Sequence, residues 1–257
     1  MRHVLLFAAL LAPLPALAAQ ACKYEAPRQL HDDLAGVRSV RIAVHAEDLH
    51  VTGSPSATAL VLDGRACASD KDMLESLTVQ SHREGDQLII DLARHDGMHF
   101  NLFGSSYSSL DVNVTLPAGM PVTVAVGSGD ADVSDLQQLD SQVGSGDLHV
   151  RHITGRFATS VGSGDVDAHD VGSLSIGSVG SGDARIDGVR GDARVGSVGS
   201  GDVTLKHVGG SVHADTLGSG DLEVSEVGGD LSLGAKGSGD VDYSGVKGKV
   251  SVPRDDD

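Results

Sequence analysis

The chain has 257 residues and carries 36 Asp and Glu against 19 Lys and Arg, which gives a formal net charge of −17. Such a surface repels phosphate backbones and anionic lipid headgroups, so the composition argues against nucleic acid and favours cations or basic proteins as partners. Trp is absent and aromatic residues make up only 3% of the chain, which weakens any sugar-stacking platform.

The first residues have the pattern of an export signal. A short basic start precedes the apolar run Val4–Ala12, and small residues that fit signal-peptidase cleavage follow up to Ala21. Pro13 and Pro15 interrupt the apolar stretch, which is too short to span a bilayer. We expect residues 1–21 to be a signal peptide. The mature chain is then exported to the periplasm or surface of a Gram-negative bacterium, with no integral membrane segment.

The two cysteines are Cys22 and Cys67. In an oxidising compartment an isolated pair normally forms a disulfide. Closing a loop of this length contributes roughly 4 kcal/mol on the chain-entropy argument. The alternative is a lipoprotein whose first residue is a lipidated Cys22, but Ala19-Gln20-Ala21 lacks the leucine usual three places before such a cysteine.

Residues 22–116 are less regular than the rest and are predicted to be a β region that covers one end of the fold. Asp48-Leu49-His50-Val51 repeats the letters of Asp147-Leu148-His149-Val150, so eroded repeats begin there. The predicted elements, in chain order, are a strand at Val37–Val44, a short helix at Ser69–Leu77, a hairpin at Leu77–Leu92 around Glu84-Gly85-Asp86, a loop at His95–Ser109 and a strand at Leu110–Leu116.

Residues 117–257 contain the motif Gly-Ser-Gly-Asp seven times, at spacings of 17 to 19 residues. A fixed period of this size is the signature of a solenoid. Positions one, three and six after each motif aspartate are apolar in every repeat. The first two alternate as in a strand, and the step of three implies a bend. The prediction is an all-β fold, a β-solenoid that coils right-handedly with 17–19 residues per rung.

The motif residues suggest two local roles. Glycine reaches positive φ without a side-chain clash, so Gly-Ser-Gly is predicted to turn the chain at a sharp corner. The aspartate is predicted to accept hydrogen bonds from nearby backbone amides. Two places after the motif aspartates the side chains point outward, and Asp167 and Arg185 are predicted to pair across rungs.

Stacked rungs place the motif aspartates in file, where neighbours repel by roughly 0.9 kcal/mol even at the dielectric of water. Calcium is the cation that hard oxygen ligands would suit, and a calcium-stabilised β-roll is one alternative. The known β-roll repeat has nine residues and a different order, so turn capping is favoured and no cofactor is expected. The weak metal candidates are Asp130, Asp147, Asp165, Asp183, Asp202, Asp221 and Asp240.

Catalytic patterns are weak. The sequence contains neither a nucleophile elbow nor a phosphate-binding loop. His95, Asp96 and His99 form the most metal-like cluster, but Gly97 disfavours the helix that would align them. His152 and His207 share a rung position without forming a histidine ladder. A glycan-active β-helix enzyme is the remaining catalytic alternative, and the short turns and sparse Lys and Arg argue against it.

The segment LDVNVTLPAGMPVTVAVGSGDADV, Leu110–Val133, leads into the repeated motif. In this it resembles the bacterial family of candidate adhesins built from β-strand repeats, over residues 37 to 252. The resemblance implies an exported β-solenoid and transfers no catalytic residue. The function expected is that of a non-catalytic structural or binding protein, adhesin-like, of the bacterial cell envelope. The sequence leaves the partner and the oligomeric state open.

Overall fold

The computed structural model describes residues 22–94 and 106–253, and the predicted signal peptide lies outside them. The fold is all-β, with 65% strand and 3% helix, and contains a β-solenoid of about seven turns. The elements are β1 Tyr24–Asp33, β2 Ser39–Val44, β3 Asp48–Ser54, β4 Ala59–Ala68, α1 Lys71–Ser76, β5 Leu77–Glu84, β6 Gln87–Arg94, β7 Ser108–Pro117, β8 Val122–Val126, β9 Asp130–Ser134, β10 Leu139–Val143, β11 Leu148–Val161, β12 Val166–Val179, β13 Ala184–Val189, β14 Ala193–Val198, β15 Val203–Val208, β16 Val212–Leu217, β17 Leu222–Val227, β18 Leu231–Lys236, β19 Val241–Ser244 and β20 Val250–Ser251.

Each rung of the solenoid contributes one strand to each of two parallel sheets. The strands that follow the motif form the front sheet, in the order β7, β3, β9, the first half of β11, the first half of β12, β13, β15, β17 and β19. The strands that precede the motif form the back sheet, in the order β6, β2, β8, β10, the second half of β11, the second half of β12, β14, β16, β18 and β20.

The apolar repeat positions stack in register and form the core. Val203, Leu222 and Val241 lie directly opposite one another on successive rungs. The first two are fully buried, as are almost all equivalent positions in the preceding rungs. The last rung is the exception, because Val241 is only half-buried and Tyr243 is 51% exposed. The predicted solenoid core is confirmed, and it ends in a rung that no described residue covers.

The motif glycines have a different role from the one predicted. None of them lies in the left-handed region of backbone space. From the second motif onward, the second glycine stacks directly on the equivalent glycine of the preceding rung. A Cβ on Gly182 would lie 1.8 Å from the carbonyl oxygen of Gly164, and a Cβ on Gly201 would lie 1.8 Å from that of Gly182. The prediction of positive φ was therefore wrong. Glycine is required because two rungs approach too closely for any side chain.

The left-handed conformation occurs instead at the bend inferred from the apolar spacing. The residue five places after each motif aspartate has a φ between 54° and 83°. These residues are Asp135, His152, Asp170, Gly188, His207, Glu226 and Gly245. The predicted bend is confirmed. Five of its seven positions carry a side chain in spite of the strain that this conformation imposes on L-residues.

The N-terminal rungs are interleaved in space. β2 pairs with β6 on one side and with β8 on the other, and β3 lies likewise between β7 and β9. The eroded repeat predicted at Asp48 is a true rung, since Asp48 lies opposite Asp130. Glu47, which is 2% exposed, occupies the place of the motif's second glycine.

Antiparallel strands lie against the first rung. β4 pairs with β7, β1 pairs with β4, and β5 pairs with β6. The predicted hairpin and helix are confirmed as β5–β6 and α1. The predicted Cys22–Cys67 disulfide is present, with the Cα atoms 5.5 Å apart. The sulfur atom of Cys22 is therefore bonded to Cys67 and is not available for lipidation. Most of the loop predicted at His95–Ser109 lies outside the described residues, and β7 already begins at Ser108.

The division predicted at residue 116 does not interrupt the sheets, because β7 runs through Ser108–Pro117. The handedness of the coil stays a prediction. Within residues 22–94 and 106–253, no helix is long and apolar enough to cross a membrane.

Candidate functional site: the acidic front surface

The motif aspartates form a continuous hydrogen-bonded column along one corner of the solenoid. The Oδ1 atom of each aspartate accepts a hydrogen bond from the backbone N–H of the next motif aspartate, at 2.8 to 3.2 Å, from Asp130 to Asp240. In return, the carbonyl oxygen of Asp165 accepts from the N–H of Leu148 on the preceding rung, and the other rungs repeat this bond. The predicted capping of backbone amides is confirmed, and the amide that is capped belongs to the neighbouring rung.

This arrangement directs one carboxylate oxygen of each motif aspartate toward the backbone and leaves the second oxygen at the surface. Asp183 is an exception, because its Oδ2 accepts a hydrogen bond from Arg185 at 2.7 Å. The cross-rung pair predicted between Asp167 and Arg185 is therefore not formed. Asp167 instead contacts His169 at 3.0 Å. Arg185 and His169 each contact a carboxylate two residues away in the sequence, which points to the same side of the sheet.

The structure gives no closed metal cage on this column. In the two described segments, no group of three or more His, Cys, Asp or Glu side chains is arranged to hold a metal ion. The backbone bonds occupy one oxygen of most motif carboxylates, and the remaining oxygens lie one rung, about 4.8 Å, apart. Calcium binding at the motif aspartates stays the alternative that the sequence disfavours. His95, Asp96 and His99 lie outside the described residues.

Histidines lie between carboxylates at the left-handed bend. His207 Nδ1 lies 2.6 Å from Asp187 Oδ1, and its Nε2 lies 3.3 Å from Glu226 Oε2. The hydrogen bond to Asp187, followed by the negative charges of Glu226 and Asp187, raises the pKa of His207 above its ordinary value. His152 lies similarly between Asp170, at 3.4 Å, and Asp135, at 4.0 Å.

Sequence reasoning missed these contacts. They join side chains on adjacent rungs, and the sequence alone does not show which acidic residues lie beside the bend histidines. Part of the signal was present, because Asp135, His152 and Asp170 alternate at the position five places after the motif aspartate. For His207 only Glu226 shares that position, and Asp187 lies four places after its motif aspartate.

The outer surface of the front sheet, together with the motif corner, is strongly acidic. We call this the front surface. Its carboxylates are Asp48, Asp111, Asp130, Asp132, Asp147, Asp165, Asp167, Asp183, Asp187, Asp202, Asp221, Glu223, Asp240 and Asp242, and its Lys and Arg side chains are Arg151, Arg185 and Lys206.

The carboxylates of the front surface influence one another where they are partly buried. The pKa of Asp48 is raised, first by burial and then by the negative charges of Asp130 and Asp111. The outer surface of the back sheet differs in character. Its strands present mainly Ser, Thr, Ala and Gly, with charges such as Arg41, Asp140 and Arg194 far apart. The excess negative charge of the solenoid is therefore concentrated on one side.

Comparison with known proteins assigns the chain to a family. Residues 37–253, most of the sequence, match the Toastrack DUF4097 family. The chain belongs to this family. The resemblance to the candidate adhesins built from β-strand repeats is thereby confirmed. No curated protein matches this Toastrack chain.

Several solved structures are similar to the Toastrack chain. A candidate lipid-binding protein from Parabacteroides distasonis is 15% identical, with a TM-score of 0.49 over 89% of this chain and 97% of that one. A candidate adhesin from Bacteroides fragilis is 17% identical, with a TM-score of 0.39 over 90% and 98% of the two chains. A candidate cell adhesion protein from Clostridium sporogenes is 13% identical, with a TM-score of 0.35 over 89% and 99%. Similarity at this level does not transfer a ligand or a partner.

Proposed function

We propose that this Toastrack chain is a non-catalytic binding protein of the bacterial cell envelope, and that it uses its front surface to engage a cationic partner. The observation that carries the proposal is the concentration of carboxylates on the front surface, where only Arg151, Arg185 and Lys206 oppose them. Because successive rungs repeat these charges at a fixed spacing, a basic segment that lies along the solenoid axis meets many carboxylates at once.

Two further features support export to the periplasm or the surface of a Gram-negative cell. The first residues have the pattern of a signal peptide, and the Cys22–Cys67 disulfide suits an oxidising compartment. Fractionation of producing cells tests the location. We expect the chain in the envelope fraction, with its two cysteines resistant to alkylation until a reductant is added. A chain that remains in the cytoplasm with both thiols reactive would contradict the proposal.

Binding can be tested with two variants that remove the same number of negative charges, one from the front surface and one from the outer side of the back sheet. The front variant combines Asp132→Asn, Asp167→Asn and Glu223→Gln, none of which caps the backbone amide of a neighbouring motif. The matched back variant combines Asp91→Asn, Asp140→Asn and Asp215→Asn, on the outer side of the back sheet. The two variants have the same net charge.

The probe is a fluorescent decalysine peptide, and its anisotropy is measured between 20 and 300 mM salt. At low salt, we expect the front variant to bind the peptide about tenfold more weakly than the native chain. The logarithm of the affinity should fall less than half as far in the back variant. Attraction to surface charges weakens with ionic strength, so the difference shrinks as salt is added. Equal losses would show that only net charge matters and would overturn the assignment of the front surface. Pull-down from envelope extracts with the folded protein and the front variant then identifies natural partners.

A further inference from the structure

The outer side of the back sheet contains a depression that the acidic front surface does not explain. A hollow of about 400 Å³ lies across four rungs, between Arg156 on one side and His213 on the other. A second hollow of about 240 Å³ continues from it and shares Arg156 and Ser175. The cause is local sequence. The strands place small residues such as Ala158, Ser175 and Gly177 outward here, while longer side chains stand at the rim.

Two guanidinium groups line the larger hollow. Arg156 Nη1 donates to Asp140 Oδ1 at 2.8 Å, which fixes the side chain at the rim. The side chain of Arg194 makes no hydrogen bond and no ion pair with any residue of 22–94 or 106–253. Asp192, two residues before Arg194 and also on the wall, does not neutralise it. Its Oδ1 instead accepts from the backbone N–H of Ser211 at 2.8 Å.

An uncompensated arginine is unusual in this chain, where carboxylates outnumber basic side chains by about two to one. Most other arginines on the solenoid contact an acid, as Arg185 contacts Asp183 and Arg190 contacts Asp170. Arg194 therefore has its full donor capacity directed to solvent beside the hollow. The planar guanidinium fork matches the geometry of carboxylate and phosphate oxygens.

Neutral polar groups complete the wall. Ser173, Ser175 and Ser211 line the same hollow and offer hydroxyl donors and acceptors. The imidazole of His213 is already engaged, with Nε2 2.8 Å from Asp215 Oδ1 and Nδ1 2.8 Å from Ser232 Oγ. No Phe, Tyr or Trp ring lies among the described residues that line the hollow, so a ligand is recognised mainly by charge and hydrogen bonds.

We propose that this hollow binds the anionic group of a hydroxyl-bearing ligand, with Arg194 and Arg156 on the carboxylate or phosphate oxygens and the serines on the hydroxyls. Packed sheets are about 10 Å apart, and the Debye length is about 8 Å at physiological ionic strength. The carboxylates of the front surface are therefore largely screened from this site. The proposal is independent of the one for the front surface, because it uses the opposite side of the solenoid and ligands of opposite charge.

The test is a titration of the isotope-labelled protein with each probe, in which NMR records the chemical shifts of the backbone amides. The probes are trigalacturonate, glycerol 3-phosphate and, as the neutral comparison, glucose. We expect saturable shifts confined to the strands β11, β12, β14 and β16 with at least one anionic probe, and none with glucose. Trigalacturonate alone would assign a uronate ligand, glycerol 3-phosphate alone a phosphate ligand, and both together the shared oxyanion chemistry. No saturable shift with either anion at 20 mM, or equal shifts with glucose, would overturn the proposal.

Variants distinguish the role of Arg194 from that of general surface charge. Arg194→Gln is expected to lower the affinity for the anionic probe at least tenfold. Arg194→Lys should retain part of the affinity, because it keeps the positive charge but lacks the planar guanidinium group. Arg185→Gln is the matched control on the front surface and is expected to change the affinity less than twofold. Because the Arg194 side chain makes no hydrogen bond or ion pair within the described residues, its replacement should leave the melting temperature nearly unchanged. Equal weakening by Arg194→Gln and Arg185→Gln would exclude this hollow as the site.

Discussion

Two versions of the same corner share only the aspartate: the repeat has Gly-Ser-Gly-Asp, and the eroded rung has His45-Ala46-Glu47-Asp48. In the repeat, Gly129 occupies the second glycine position, and a Cβ there would lie 2.0 Å from the carbonyl oxygen of Glu47. One rung earlier, Glu47 itself occupies that position with a buried side chain. β2 and β3 pair on their other side with β6 and β7, and most of the residues that join those two strands lie outside the described residues. Within the repeat, the motif glycine is required by the close approach of the preceding rung, because no motif glycine has a positive φ.

Gly182→Ala gives the largest expected effect, because it places a methyl group where the carbonyl oxygen of Gly164 lies 1.8 Å away. The two rungs must separate or shift, and we expect the free energy of unfolding to fall by about 3 kcal/mol or more. Gly119→Ala is the control, since the nearest atom to its new Cβ is Gln137 Oε1 at 3.7 Å. Urea denaturation measures both. Similar losses in the two variants would show that close stacking does not require glycine.

Glu47→Ala tests the other side of the comparison. The Oε2 atom of Glu47 accepts from the N–H groups of His45 at 2.8 Å and Ala46 at 3.0 Å. Without this acceptor two amides at a part-buried corner lose a charged partner, which costs about 1 to 3 kcal/mol. Glu47→Gln keeps a carbonyl acceptor and should lose less. If Gln is as destabilising as Ala, the acceptor role assigned to Glu47 is wrong.

Asp202→Ala is expected to have a smaller effect within the repeat. It removes the acceptor of the Asp221 N–H bond, which measures 2.8 Å, at a corner that water reaches. We expect a loss of about 1 kcal/mol in the free energy of unfolding. Glu223→Ala is the matched change on the same surface, because Glu223 contacts only Lys206, at 4.0 Å, and exposed pairs of this kind contribute about 0.5 kcal/mol or less. Equal losses would mean that the inter-rung bond adds nothing.

His207 provides the smallest expected effect, and it depends on pH. Asp187 and Glu226 raise the pKa of His207 in the folded chain, so the protonated form is favoured by folding. This contribution is fully present below the ordinary pKa of about 6.5 and is lost as the pH rises through the raised value. The difference in stability between the native chain and His207→Gln should therefore shrink from pH 5 to pH 9. In Asp187→Asn, an NMR titration should show the pKa of His207 returning toward 6.5. An unchanged pKa would contradict the assignment.

The sequence predicts the repeat well because its signal is periodic. Three apolar positions per motif identify the core and the bend, and the letters shared by Asp48–Val51 and Asp147–Val150 identify an eroded rung. The interleaving of β2 and β3 between later strands could not be predicted, because pairing between distant segments leaves no local pattern. The reason for the motif glycines was also missed. A glycine that allows positive φ and one that avoids a neighbouring carbonyl are identical in sequence.

The candidate surface was only partly predictable. The acidic column follows directly from the repeat, but the acceptor role of each aspartate toward the next rung requires the register between rungs. Arg185 illustrates the limit. Both Asp183, two residues earlier, and Asp167, on the preceding rung, are candidate partners, and only the structure shows that Arg185 pairs with Asp183. The hollow on the back sheet arises from small outward residues on adjacent rungs, and their alignment depends on register shifts in β11 and β12.

The central claim is that one motif corresponds to one rung of the stack. Spin labels at outward positions of the front sheet test it most directly, with His149 paired in turn with Thr204, Glu223 and Asp242. The account predicts mean distances that increase by about 4.8 Å with each added motif, from about 14 to about 24 Å. Distances that fail to increase in equal steps, or that exceed these values by more than the reach of the labels, would contradict it.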